Sequence, residues 1–153
     1  MNQPPQQPAS MPPLGAMLCF SVYAAGLAFN RLYRGLLERF GLTYPQFLVL
    51  VALREKDGRR VNELGETLFL ESNTLTPLLK RMEQAGLISR HRDSRDERVV
   101  RVSLTAKGAE LVAGMGCVAP QVAGATGMDI GDIPALTAKL NALGSALRQQ
   151  AQG

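Results

Sequence analysis

The stretch SNTLTPLLKRMEQAGLISRHRDSRDERVVRVSLTAKG, residues 72–108, changes its hydrophobic period partway along. In its first half Leu75, Leu78, Leu79 and Met82 recur at helical steps, which predicts a helix over residues 72–85 stopped by Gly86. Pro77 sits awkwardly there, because a proline is harmless only in a helix's first turn, and so it favours a start near Thr74. In the second half residues 88–92 and 99–104 read as strands, the later one alternating Val100, Val102 and Leu104. The turn between them, Asp93-Ser94-Arg95-Asp96-Glu97-Arg98, is wholly polar.

Upstream, Asn62 is expected to cap a short helix over residues 63–69. Farther back, Thr43 and Gln46 have the spacing of a capping box, with Pro45 in the first turn and Leu42 and Phe47 placed as a hydrophobic staple. Residues 14–40 read as one amphipathic helix carrying Leu18, Val22, Ala25, Phe29, Leu32, Leu36 and Phe40, ended by Gly41. Downstream, Thr105 is expected to cap a helix running to about residue 124 with a kink at Pro120. A last helix over residues 133–149 carries Leu136, Leu140, Leu143 and Leu147. The predicted order is α-α-α-α-β-β-α-α. Residues 1–13 hold five of the nine prolines and four Gln or Asn, and read as a disordered tail.

At 153 residues the chain is long enough for a real core and reads as a single subunit. The net charge of +4 permits a polyanionic partner without demanding one. The two cysteines, Cys19 and Cys117, form no metal-binding pattern, so neither a metal nor a cofactor is expected. No apolar run reaches the roughly 18 residues of a membrane span, and the N-terminus lacks the basic and apolar segments of a secretory signal. The expected compartment is the cytoplasm, with reduced thiols.

Two short helices followed by a basic hairpin predict a mainly α fold with a small β-hairpin wing, a winged helix-turn-helix over residues 61–104. Between Lys80 and Arg101 lie seven Lys or Arg and one His against four acids. Lys80, Arg81, Arg92, Arg95 and Arg98 are candidates for neutralising DNA phosphates. Ser72, Asn73, Thr74 and Thr76 open the second helix, where small polar side chains can reach base edges in a major groove. An arginine at a wing tip suits the narrow minor groove.

Residues 61–108 resemble the MarR family, whose wing pattern is matched by Asp93, Arg95, Asp96, Arg98, Leu104, Thr105 and Gly108. The resemblance implies a homodimer on a double-stranded DNA operator, joined through its terminal helices (residues 14–41 and 106–150 of a subunit spanning 14–153). It also implies a transcriptional repressor, not an enzyme, with Arg98 as the minor-groove arginine and Asp96 as the acid that orients it.

Cys19 falls in the first turns of the first helix, where the helix's positive end favours a thiolate. Tyr23 and Tyr33 follow on roughly the same stripe, and Tyr44 opens the next helix. Cys19 and Tyr33 are about 21 Å apart along one helix, so any cooperation between them must cross a dimer. On residue types alone, a single cysteine on an amphipathic helix reads first as a small buried side chain. The segments from Leu18-Cys19-Phe20 to Tyr33, Gly41 to Phe47, Leu64-Gly65-Glu66 and Thr74 to Arg81 are, however, similar to the OhrR branch of the MarR family. That resemblance implies an organic hydroperoxide as effector, Cys19 as the oxidised thiol, and Tyr33 and Tyr44 of the other subunit as its hydrogen-bonding partners. Some members of the branch carry a second cysteine late in the fifth helix, where this chain has Gly124; Cys117 lies seven residues earlier. Either Pro120 remodels the helix and Cys117 is the resolving thiol, or a low-molecular-weight thiol completes the switch. The alternative function is a MarR-type regulator that responds to a small aromatic or anionic ligand.

Overall fold

The computed structural model describes residues 10–151. Most of the expected tail therefore lies outside the described residues; Ser10–Pro13 are exposed and take no regular structure. The first helix is shorter than the periodicity suggested. A 3-10 turn at Leu14–Ala16 precedes α1 (Leu18–Leu37), and a second 3-10 turn, Glu38–Phe40, follows it. Gly41 then adopts φ 66°, a left-handed value that costs glycine little and turns the chain.

The capping box forms as read. The Thr43 N–H donates to Gln46 Oε1 at 2.9 Å, and the Gln46 N–H donates to Thr43 Oγ1 at 3.4 Å, opening α2 (Tyr44–Glu55). The next two residues form a strand that sequence reasoning missed, β1 (Arg59–Arg60), and α3 (Val61–Leu68) starts directly from it. Arg60 is thus the N-cap residue of α3, and Asn62 lies inside the helix, where its Oδ1 accepts only from the N–H of Glu63.

Phe69 takes φ 55°, a left-handed value rare outside glycine, and turns the chain into α4 (Ser72–Gln84). Because α4 begins at Ser72, Pro77 falls in its second turn and cannot donate to the carbonyl of Asn73. Both residues are exposed, so solvent can satisfy that carbonyl. The wing strands are β2 (Ile88–Arg92) and β3 (Val100–Leu104), and β3 is the centre of a three-stranded antiparallel sheet of order β1-β3-β2. Arg60 pairs with Arg101, and Ile88 pairs with Leu104.

The fifth helix is two helices. Thr105 caps α5 (Ala106–Ala113) by accepting from the Gly108 N–H at 3.0 Å; after a break at Gly114 to Cys117 comes α6 (Val118–Ala125). The interruption falls at the glycines, whereas Pro120 sits in the first turn of α6, where its missing N–H is no loss. The chain ends in α7 (Ile133–Ala151).

The core comprises Leu37, Val49, Leu50, Leu53, Leu64, Leu75, Leu79, Met82, Ile88, Val102, Val112 and Val118, among others. It lies where α2–α5 meet the sheet. Only Leu37 of α1 is buried, and no residue of α7 is. The apolar stripes of both helices face outward, with Leu18, Val22, Phe29, Leu136, Leu140 and Leu147 all exposed. No single described helix is long and apolar enough to cross a membrane.

Candidate nucleic-acid interface and thiol–tyrosine site

The wing is braced where its turn begins and open at its tip. Where the turn leaves β2, Asp93 is buried, and its carboxylate accepts from the Arg95 N–H at 2.8 Å and from the guanidinium of Arg101. Those contacts, the Arg95 amide first, hold its carboxyl below the usual carboxylate range. Arg101 also donates to the carbonyl of Gly58 at 2.8 Å, and the Leu104 N–H donates to Asp57 Oδ1 at 2.9 Å. The loop before β1 is thereby stitched to β3. At the tip, the Arg98 N–H and Nε each donate to Asp96 Oδ1 at 3.1 Å, while Nη2 reaches Oδ2 at 3.3 Å. The Arg98 side chain is otherwise 91% exposed. Arg92 is braced across the turn by donating to the Glu97 carbonyl at 3.0 Å, and Arg95 stands exposed.

On α4, Leu75, Leu78, Leu79 and Met82 are buried, which turns Ser72, Asn73, Thr74, Thr76, Lys80 and Arg81 to solvent. Of these, Ser72 and Thr76 meet Arg98 in a cleft of about 400 Å³ between α4 and the wing. The cleft is also lined by Arg90, one of the hairpin's basic residues, and by Arg60 and Asn62, which sequence reasoning did not place there. Arg90 is tied to Glu83, donating from Nη2 at 2.7 Å and from Nε at 3.0 Å. Arg60 escaped notice because β1 is two polar residues long and offers no alternation to read.

Cys19 is the second residue of α1 and is exposed, as is Tyr23. Tyr33, about four-fifths of the way along α1, stacks on Tyr44 of α2 with ring centroids 4.2 Å apart, and Phe47 packs beside both. Burial raises the pKa of both tyrosines, and for Tyr33 the neighbouring Tyr44 adds to it, so each hydroxyl stays protonated and able to donate at neutral pH. Since α1 is unbroken, Cys19 and Tyr33 of one subunit are held about 21 Å apart. Cys117 is exposed at the start of α6, and its Sγ accepts from a guanidinium nitrogen of Arg39 at 2.9 Å. Among the described residues, no group of three or more His, Cys, Asp or Glu is arranged to hold a metal ion.

Residues 31–115 match the family of transcriptional regulators described as SarA/Rot. The HTH-type transcriptional regulator TtmR of Methylorubrum extorquens is 49% identical over 138 residues, which is 90% of this chain and 71% of that one. The organic hydroperoxide resistance transcriptional regulator of Bacillus subtilis is 50% identical over 94 residues, 61% of this chain and 64% of that one. Reduced AbfR bound to DNA superposes with a TM-score of 0.73 at 31% identity, covering 92% of this chain and 96% of that one. Overoxidized AbfR bound to DNA superposes at 0.70 and 34% identity, over 88% and 94%. With its helix-turn-helix, wing and flanking helices, the chain belongs to the SarA/Rot group of MarR-like winged-helix transcriptional regulators, DNA-binding proteins and not enzymes.

Proposed function

We propose that this regulator is a homodimeric repressor that senses organic hydroperoxides through Cys19. In this reading α4 enters the major groove of an operator, Arg98 reaches the adjacent minor groove, and Lys80, Arg81, Arg92 and Arg95 meet phosphates. The observation that carries the sensing role is the separation within one subunit. An exposed thiol stands at the open end of α1, and a stacked pair of tyrosine hydroxyls waits about 21 Å along the same helix. An antiparallel pairing of two such helices would bring each thiol to the other subunit's Tyr33 and Tyr44. The outward apolar stripes of α1 and α7 supply the contact such a dimer needs.

The thiolate of Cys19 attacks the peroxide O–O bond. A sulfur–oxygen bond forms, the O–O bond breaks, the sulfur loses two electrons, and the departing alkoxide takes up a proton to leave as an alcohol. A low-molecular-weight thiol can then condense with the sulfenic acid, expelling water and leaving a mixed disulfide. Either product is larger and more polar than a thiol, and would part Cys19 from the tyrosines and shift the helices that set the two wings' spacing. The kinship with the Bacillus subtilis regulator and with AbfR, a protein seen in reduced and overoxidized forms, supports this reading. Such a regulator works in the compartment that holds the DNA, the cytoplasm.

A second reading rests on a cavity of about 500 Å³ between α1 and the α6–α7 region, lined by Phe29, Leu32, Met128, Ile133, Leu136 and Leu140. Its apolar walls suit a small aromatic effector. One experiment separates the two. Cys19→Ser should bind promoter DNA like the wild type and fail to release it on addition of cumene hydroperoxide. Release that survives the substitution overturns the thiol sensor and leaves the cavity as the effector site.

A further inference from the structure

We infer that Arg60 grips the DNA backbone strand that runs between the two grooves read by α4 and the wing, making the cleft beside it a phosphodiester site. The inference rests on the DNA-binding reading of α4 and the wing. Geometry supplies the first step. The major and minor grooves of a duplex are separated by one sugar–phosphate strand. A helix lying in one groove and a wing in the next must straddle that strand, so it crosses the space between them. Here that space is the cleft of about 400 Å³ lined by Ser72 and Thr76 on one side and Arg98 on the other.

Strand pairing supplies the second step. Successive residues of a strand point to opposite faces. Arg59 turns inward, only 12% exposed, and is consumed by the protein: it donates to the Ala52 carbonyl at 3.1 Å and to Thr67 at 3.3 Å, and lies within ion-pair distance of Glu55 and Glu63. Arg60 turns the other way, is exposed, and lines the cleft.

The third step is the fate of the other cations there. Arg90 is held by Glu83 and Arg98 by Asp96. Among the described residues Arg60 makes no ion pair within 4 Å and no side-chain hydrogen bond; the Asp96 carboxylate, already held by Arg98, feels its charge without contacting it, so its donors are free to bind. The backbone pairing of Arg60 with Arg101 fixes where its side chain begins without using its guanidinium. A planar guanidinium lining a cleft together with the hydroxyls of Ser72 and Thr76 suits the two free oxygens of a phosphodiester. A phosphate contact positions the protein and carries no base sequence, so Arg60 contributes affinity without specificity.

The test uses the full chain with two probes, a duplex from the promoter of its own gene and a random-sequence duplex of equal length. Affinities are measured across a salt series, with melting temperature as the control for folding. Arg60→Gln should weaken binding to both duplexes by the same factor. It should also lower the slope of log affinity against log salt by about 0.9 per subunit, or about 1.8 per dimer. Arg60→Lys should keep the wild-type slope. An unchanged slope in Arg60→Gln, a loss confined to the promoter duplex, or an equal loss of slope in Arg60→Lys overturns the assignment. If the wild type itself binds neither duplex, the DNA-binding reading fails instead.

Discussion

Asp96 holds Arg98 from both ends: one carboxylate oxygen accepts from the backbone N–H and from Nε at 3.1 Å, and the other faces Nη2 at 3.3 Å. So exposed a pair adds little to folding stability; its effect is to pre-aim a long side chain. Asp96→Ala should therefore leave the melting temperature nearly unchanged while weakening promoter binding. Arg98→Ala should cost more, about 1–3 kcal/mol, and narrow the gap between promoter and random DNA. Fluorescence anisotropy on both duplexes measures this, and wild-type affinity in Asp96→Ala would refute the aiming role.

The carboxylates in and beside the wing predict a response to acid. The carboxyls of Asp93, Asp96 and Glu83 all lie lower in the folded chain than their ordinary values, each because arginine groups donate to the charged form. A depressed folded value means that the stabilisation is complete above the unfolded value, near 4, and is lost as pH falls through the folded one. The melting temperature should be flat between pH 7 and pH 5 as far as these groups go, and should fall below about pH 4. Asp93→Asn should soften that acid limb and lower stability at neutral pH, read by thermal melts across a pH series.

Gly108 marks a close approach of two segments. A Cβ there would lie 2.0 Å from the Leu87 carbonyl oxygen, which belongs to the backbone and cannot swing aside. The same turn is fixed by Thr105, whose hydroxyl donates to the Gly86 carbonyl at 2.6 Å and accepts from the Gly108 N–H. Gly108→Ala should destabilise by about 1–3 kcal/mol through overpacking, visible as a lowered midpoint in urea at unchanged slope. A neutral substitution would mean that α5 can slide on the sheet.

Where residue chemistry acts locally, the sequence could be read directly. The Thr43–Gln46 box, the Thr105 cap and the buried face of α4 all formed from neighbours in the chain. Misreadings arose where a distant partner decides. β1 exists because Arg59 and Arg60 pair with Val102 and Arg101, some forty residues away, and two polar residues carry no period. With β1 in place, α3 starts at Val61, and the capping role expected of Asn62 disappears. The apolar repeat of the fifth helix runs across Gly114 and Gly116 without a break in pattern, so the chain's actual break there was hidden behind Pro120. For the candidate site, the residues of α4 and the wing were legible as a set, whereas Arg60 and the Arg39–Cys117 contact depend on tertiary placement.

The exposed stripe of α7 predicts the oligomeric state. Leu136, Leu140 and Leu147 are 42%, 45% and 61% exposed, while Leu18 and Phe29 of α1 are 63% and 42% exposed. Exposing that much apolar surface is unfavourable at about 25 cal/mol per Å², and a second copy would bury it. Sedimentation at micromolar concentration should find a dimer. Leu140→Glu should yield a monomer that keeps its helix-turn-helix but binds promoter DNA weakly, having lost the second half-site. A folded wild-type monomer under those conditions would remove the basis for a thiol site shared between subunits.

That shared site is the most exacting prediction. Cys19→Ser is close to isosteric and lies far from the wing, so it should fold and bind DNA normally yet ignore peroxide. Tyr33→Phe and Tyr44→Phe each remove one hydroxyl and keep the stacked rings that pack against Phe47. If the hydroxyls donate to the resting thiolate across the dimer, each loss withdraws a hydrogen bond to a charged group, about 1.5–3 kcal/mol. The thiolate is then less stabilised, and sulfenate formation should slow roughly tenfold or more, since 1.36 kcal/mol is a factor of ten. Resting DNA affinity should scarcely change, because the rings and the wing are untouched. Stopped-flow trapping of the sulfenate with dimedone, run beside DNA release, reads both quantities. Equal rates in the wild type and both Phe variants would mean that Tyr33 and Tyr44 are packing residues, with the effector to be sought in the apolar cavity between α1 and α7.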